Sequence, residues 1–411
     1  MPTLDAMRTL KLKTVDAYVA FDLECPTSAG GTRLAPDVTE RETQLLARAM
    51  TYKFAVLGVN IGGAKATIRA TDAERDDAVK RYVEEIRPMV ESSTFLTSTD
   101  LGTRPEDFAS LPGSEQASVM HTTHDGMPLD AFITGLGVTV AAETALAGLA
   151  GKTVVIEGFG KVGGATALET WRRGARLIAF STIHGCVRRA AGFDVEELLR
   201  LRAEHGDHLV EHLDEPVSPA SELFEVGSDL LVPGARIGVI DEARAKALQA
   251  RVVAPAANVP YTKRGLEVLW DRGIIALADY VCNSGATIGY VTDSVSSAEQ
   301  AIAVVEDRVR ELTREALADP AGPYEGARKL ADAHLAPGSR PPRCRTGRPS
   351  HESRRSGDRP AARRHLRPRL DLGPRGGDRR PRAGARARRG CVGAAVAAPD
   401  GELGLLPAQV W

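Results

Sequence analysis

Apolar positions along this chain switch between a period of two and a period near 3.6, and the pattern stops near Leu335. Val15–Leu23 alternates and predicts a strand. Pro26–Arg33 is rich in small and turn-forming residues and predicts a loop. Thr39 followed by Glu42 predicts a capped helix start, with Leu46, Met50 and Lys53 following on one helical face. A lysine on that face must reach water, pair with a carboxylate or hold a ligand. Residues 72–91 predict a charged helix and Thr94–Thr97 a short strand. Ser110–Leu129 is polar and predicts a loop, with His121 and His124 lacking a third partner that would suggest a metal.

The pattern then changes. A helix beginning at Thr134 and running toward Leu149 leads into the β-branched strand Thr153–Glu157, and a further helix runs through Arg172. Strands follow at Arg176–Phe180, Asp229–Val232, Arg251–Ala254 and Ile274–Leu277, each closed by a polar or Pro/Gly-containing turn. This alternation predicts an α/β fold with a parallel, doubly wound sheet and ligands at the carboxyl ends of its strands. A long helix over about Ser297–Ala318 is expected to return to the first part of the chain. The expected organisation is an N-terminal α/β substrate and dimerisation domain over 1–130, a Rossmann-like domain over 131–295, returning helices over 296–335 and a tail over 336–411.

Composition divides the chain at the same place. From Ser339 onward there are 18 Arg, no Lys and six acidic residues, a net of +12, so the rest of the −1 chain carries about −13. The tail has little to bury and is expected to be disordered and without function. Its charge alone would suit nucleic acid, but no aromatic residues interleave with it, so nucleic acid is not the expected partner. The five cysteines show no paired spacing, which suggests free thiols in a reducing compartment and no zinc site. An apolar leader or a run of membrane-spanning length is not evident, and a cytoplasmic protein is expected.

Two segments carry candidate chemistry on their own residues. Gly158-Phe-Gly160-Lys161-Val162-Gly163 lies between a predicted strand and a predicted helix, the context that lets a dinucleotide pyrophosphate approach a helix N-terminus. Met50-Thr-Tyr-Lys53 and Gly62-Gly63-Ala64-Lys65 bracket an apolar stretch with two lysines. The two glycines predict a sharp turn or a close backbone approach. Two lysines in one dry cleft would lower each other's pKa.

Those two lysine segments, at this separation, resemble the signature of the glutamate/leucine/phenylalanine/valine dehydrogenase family. That resemblance implies interconversion of an L-amino acid with a 2-oxo acid and ammonia, using NAD or NADP, in a homo-oligomer. It implies that Lys53 holds the substrate α-carboxylate, that Lys65 activates water, and that Asp100 moves protons on and off nitrogen. Gly30 and Gly31 would let backbone amides meet the substrate, and Asn283, in a segment similar to the family's Asn-Ala-Gly-Gly loop, would also lie at the substrate. Asn258 resembles the loop near the cofactor ribose, and Thr134 the start of the family's Thr-Gly segment beside the cofactor. Asparagines after strands are otherwise ordinary turn residues.

Three departures qualify the resemblance. Glutamate-using members carry a lysine where this chain has Ala29, which implies an apolar side-chain pocket and a pattern closer to the leucine/phenylalanine/valine branch. Thr182 stands where many NAD-binding folds place an acid for the ribose, so NAD and NADP both stay open, with Arg188 or Arg189 candidates for a 2′-phosphate. The segment from Ser110 to Phe132 lacks the family's glycine/serine run. An alternative expectation is therefore a catalytically silent relative that binds nucleotide or serves an assembly.

Overall fold

The computed structural model describes residues 3–112 and 119–336. The expected tail over 336–411 falls outside these residues except for Ala336, and the short Ser110–Phe132 segment falls partly outside them.

The first sheet is built from β1 (Arg8–Lys11), β2 (Ala17–Phe21), β3 (Ser28–Leu34), β4 (Gly62–Ile68) and β5 (Phe95–Thr99). Helix α1 (Glu40–Val56) joins β3 to β4, and α2 (Arg75–Glu91) joins β4 to β5. The strand order is β1-β2-β4-β3-β5; β4, β3 and β5 run parallel, and β1 and β2 add antiparallel neighbours. Two helical crossovers explain the parallel core of this sheet.

Two stretches expected to turn are strands instead. Ser28–Leu34 lies between two neighbours, and Gly62 and Gly63 sit inside β4. Their glycines serve close approach rather than a turn. A Cβ on Gly63 would strike the backbone of α1 at Ala47 and Thr51, and one on Gly30 would strike the Ala64 carbonyl. The sequence pattern could not separate these two uses of glycine. The helix start is half as expected. The Thr39 hydroxyl accepts from Glu42 N at 3.1 Å, but the Glu42 carboxylate turns to Arg33 instead of closing the box.

Between the sheets lie a hairpin of β6 (Thr123–His124) and β7 (Met127–Pro128) and helix α3 (Leu129–Leu146). Helix α3 begins five residues before Thr134 and is apolar all round. It is long and apolar enough to cross a membrane, but 67% of it is buried inside the fold, as befits a core helix.

The second sheet contains β8 (Thr153–Glu157), β9 (Arg176–Thr182), β10 (Gly185–Arg188), β11 (Ser228–Pro233), β12 (Ala250–Val253) and β13 (Ile275–Ala276). Its order is β10-β9-β8-β11-β12-β13, parallel except for the antiparallel edge strand β10. Helices α4 (Lys161–Arg172), α5 (Val195–His205), α6 (Glu242–Ala247) and α7 (Lys263–Asp271) make the crossovers. The chain closes through α8 (Asp279–Cys282), α9 (Gly285–Val291), α10 (Ala298–Leu317) and α11 (Pro323–Leu335). This is the expected α/β architecture, with a Rossmann-like sheet following an N-terminal α/β sheet.

One apolar cluster joins the two halves. It combines Leu46, Tyr52 and Val56 of α1 with Val259, Tyr280, Leu312, Ala327 and Ala331. Tyr52 Oη donates to Asp332 Oδ1 at 3.2 Å, so α11 returns onto α1. That shared core fixes Lys53, one helical position from Tyr52, against loops of the second sheet.

Candidate active site

Lys65 points from the middle of β4 into an almost dry site, only 3% exposed. Its Nζ lies 2.5 Å from Asp100 Oδ2. Arg33, on β3, donates from Nε to that same oxygen at 3.2 Å and from Nη1 to Glu42 at 2.6 Å. Charges therefore alternate along Glu42, Arg33, Asp100 and Lys65. Asp100 is set just past β5 by Thr103, whose hydroxyl accepts from Asp100 N at 3.0 Å and donates to Thr32 O at 2.8 Å.

These contacts decide the protonation states. Burial works to raise the Asp100 pKa, but the Lys65 and Arg33 charges prevail and hold it well below the usual carboxylate range. Burial lowers the Lys65 pKa; Asp100 opposes that, and Arg33 adds to it. Arg33 is thus a cation pressing on Lys65 that the sequence did not suggest, while the expected repulsion between the two lysines is felt at Lys53.

Lys53 occupies a second cluster. It is 6% exposed, and its Nζ donates to Asn258 Oδ1 at 3.3 Å and to the Asn283 carbonyl at 3.4 Å. Asn283 Nδ2 donates to Asn258 Oδ1 at 3.0 Å and to the carbonyls of Ala256 and Ala257. Asn258 is therefore gathered with Lys53 and Asn283. Burial lowers the Lys53 pKa to about 8, opposed by Asp279 and reinforced by Lys65. Among the described residues Lys53 enters no ion pair, so within this site it is the cation left without a carboxylate.

The loop that carries Asn258 is held in a strained form. Val259 adopts φ 52°, a left-handed conformation unfavourable for a β-branched residue. Asp279 Oδ2 accepts its N–H at 2.8 Å, while Asp279 Oδ1 is buried without a hydrogen bond. Burial raises the Asp279 pKa despite that N–H and Lys53.

The glycine loop after β8 is shaped for an anion. Gly158 has φ 82°, its N–H donates to Ser181 Oγ at 3.2 Å, and Gly160 caps α4. A Cβ on Gly163 would collide with the Gly158 carbonyl, so the third glycine lets the helix seat under the turn. A Cβ on Gly160 would meet nothing within 4 Å, which leaves open space over the N-terminus of α4. Lys161 and Val162 begin that helix. Thr182 ends β9 beside this loop and accepts from His184 N at 3.1 Å.

The family described as Glu/Leu/Phe/Val dehydrogenase matches residues 126–318, and its dimerisation domain matches residues 5–115. The glutamate dehydrogenase of Thermotoga maritima is 33% identical over 282 residues, covering 64% of this chain and 68% of that relative. The NADP-specific glutamate dehydrogenase of Saccharolobus shibatae is 30% identical over 306 residues, covering 68% and 72%. The chain belongs to the Glu/Leu/Phe/Val dehydrogenase family. It is an amino-acid dehydrogenase that uses NAD or NADP. Among solved structures, the hetero-hexameric glutamate dehydrogenase of Thermus thermophilus in its leucine-bound form superposes with a TM-score of 0.68 at 25% identity, covering 80% of this chain and 88% of that one. The L-tryptophan dehydrogenase of Nostoc punctiforme shares the fold, with a TM-score of 0.53 at 22% identity over 80% of this chain and 94% of that one.

The open cradle at Gly158–Gly163 fits the nicotinamide dinucleotide of this dehydrogenase. Thr134 links the two halves of the site: its hydroxyl accepts from Ala286 N at 3.3 Å, tying α3 to the segment after Asn283. The arginines expected near a 2′-phosphate are already engaged. Arg188 pairs with Glu222 at 2.8 Å, and Arg189 holds both oxygens of Glu215, at 2.5 and 2.9 Å. The His121 ring meets Tyr290 and the His124 ring meets Phe132.

Sequence reasoning gave Glu42 only a helix-capping role and assigned none to Arg33 or Asp279. Arg33 could have been found by strand period once β3 was seen as a strand. Residues 29, 31 and 33 share one face; a Cβ on Gly31 would lie 3.1 Å from Asp100 Cβ, and Arg33 reaches Asp100. Ala29 lies on that face too. Asp279 carried no pattern signal, because a buried acid is recognisable only by what surrounds it.

Proposed function

We propose that this dehydrogenase oxidises apolar or aromatic L-amino acids, releasing ammonia and the 2-oxo acid. The carrying observation is the face of β3 that bears Ala29, Gly31 and Arg33. It presents one cation, and Glu42 and Asp100 already neutralise that cation. A substrate α-carboxylate has Lys53 to meet it, and a second carboxylate on the side chain would have no counterpart beside Ala29.

In this reading Lys53 anchors the α-carboxylate and Asn283 helps fix its position. The cofactor supplies a hydride acceptor for the substrate Cα–H. Neutral Lys65 takes a proton from the water that attacks the imine carbon, and the ionised Asp100 takes a proton from the substrate nitrogen and returns it as the C–N bond breaks and ammonia leaves. Gly30 and Gly31 bring the backbone of β3 close to the substrate. Gly158, Gly160, Lys161, Val162 and Gly163 hold the pyrophosphate, with Thr182 toward the ribose. An oligomer is also inferred from the family's dimerisation domain over residues 5–115.

A second reading, glutamate as substrate, is favoured by the relatives, whose names are those of glutamate dehydrogenases. Comparing kcat/KM for glutamate with leucine, valine, phenylalanine and tryptophan, using NAD and NADP in turn, separates the two. We expect discrimination against glutamate of more than about 100-fold, because an unpaired buried carboxylate costs several kcal/mol. Preference for glutamate would establish the second reading.

A further inference from the structure

Four of the nine histidines meet at one place remote in sequence from the lysine clusters. The short 3-10 helix Gly206–His212, continuing from α5, brings His208 and His212 beside His205. The turn between β9 and β10 brings His184, whose backbone is pinned to Thr182. The His184 and His208 rings stack with centroids 3.7 Å apart and planes at 22°; His205 and His212 stack separately at 3.6 Å.

The first pair shares a carboxylate. Glu211 Oε1 lies 3.0 Å from His208 Nδ1 and 3.9 Å from His184 Nδ1, and one ligand atom from each residue lies within 4.8 Å of the others. Three atoms that carry lone pairs converge here. Either protons separate them or a cation does. A neutral His208 with its proton on Nδ1 would satisfy only its own contact with Glu211. One divalent ion satisfies all three donors together.

We propose that His184, His208 and Glu211 form a binding site for a divalent transition-metal ion of the zinc class. Two imidazoles and a carboxylate are a donor set that such ions favour. Bonds of about 2.0–2.2 Å place tetrahedral ligand atoms roughly 3.3 Å apart, close to the separations present. His208 and Glu211 side chains are more than half exposed, so they can rotate to complete the geometry and leave the fourth position to water. The ion would tie the β9–β10 turn to the helix after α5. The ligands stand 24 and three residues apart in sequence, so no spacing motif announces them.

The test uses the full chain without an affinity tag, stripped by chelator and dialysed. Zinc is titrated calorimetrically, and cobalt is added as a spectroscopic probe. The expected result is one tight equivalent, visible cobalt absorption of low-coordinate type and a zinc-dependent rise in melting temperature. His184→Ala and His208→Ala should each weaken binding at least about tenfold and abolish the thermal shift, whereas His205→Ala should change neither. Circular dichroism melts without metal establish that each variant is folded. Absence of a tight equivalent, or binding unchanged in folded His184→Ala and His208→Ala, would overturn the proposal.

Discussion

Lys65 and Asp100 form a 2.5 Å ion pair in which Arg33 also holds the acid, so Asp100 is ionised at any working pH. In the proposed reaction Asp100 is therefore first an acceptor, and it is the counter-charge that sets Lys65. Lys65→Ala should lower turnover by roughly 10²–10⁴-fold, the usual loss for an acid–base group, with cofactor binding retained. Asp100→Asn should move the acidic limb of the pH–rate profile to lower pH. Removing the carboxylate withdraws what raises the Lys65 pKa, so Lys65 loses its proton earlier. An acidic limb that stays in place would remove Lys65 from that titration.

Lys53 is buried at a cost that the proposed contact with a substrate carboxylate would explain. Its pKa falls to about 8 from the ordinary 10.5, so the folded protein binds fewer protons than the unfolded chain between those values. Stability from this group should rise with pH across that window, and the full penalty of about 3 kcal/mol applies below it. Lys53→Met removes the charge at similar volume and gives up the hydrogen bonds to Asn258 Oδ1 and the Asn283 carbonyl. A net gain of about 1–2 kcal/mol at pH 7 is expected, seen as a higher Tm, together with lost substrate affinity. In the unmodified protein, kcat/KM for the 2-oxo acid at saturating ammonia should fall as pH rises through about 8, because neutral Lys53 cannot hold a carboxylate. A flat profile there would separate Lys53 from substrate binding.

The second sheet was the more legible half. Its strands are short apolar runs followed by helical periods, and the glycine fingerprint sits at the one strand–helix junction where it has meaning. The first sheet was harder. Ser28–Leu34 carries Ser, Ala, two Gly, Thr and Arg, with no alternation to see, because its neighbours pack backbone against backbone at Gly30. Lys53 and Lys65 were visible as lysines on apolar elements. Of their partners, Asp100 and Asn258 came only through the family resemblance and Arg33 and Asp279 not at all, since the four come together only through the crossovers.

Gly160 and Gly163 should separate cofactor binding from folding. Gly160 has extended backbone and open space around a Cβ, so Gly160→Ala should fold normally and bind cofactor at least about tenfold more weakly. Gly163→Ala drives a Cβ into the Gly158 carbonyl and should lower Tm by several degrees as well. Cofactor titration by fluorescence and thermal melts on both variants distinguish the two effects. Equal Tm losses would show that the space over Gly160 is structural.

Ala29 is where substrate choice should change. It shares the face of β3 that carries Gly31 and Arg33, and its neighbours across the sheet are Gly63 and Leu96. Leu96 is 40% exposed, so a longer side chain at 29 has an apolar wall for its methylenes and water within reach for its head. Ala29→Lys would supply the cation that a second substrate carboxylate lacks. A hydrogen bond to a charged group contributes about 1.5–3 kcal/mol, which corresponds to roughly a 10–150-fold gain in kcat/KM for glutamate. The same ammonium would sit unpaired beside leucine or phenylalanine and should lower their kcat/KM by a comparable factor. Both changes must appear for Ala29 to be the selectivity position. A loss for every amino acid alike would mean the new lysine pairs with Asp100 and disturbs Lys65, which a shifted pH profile would reveal.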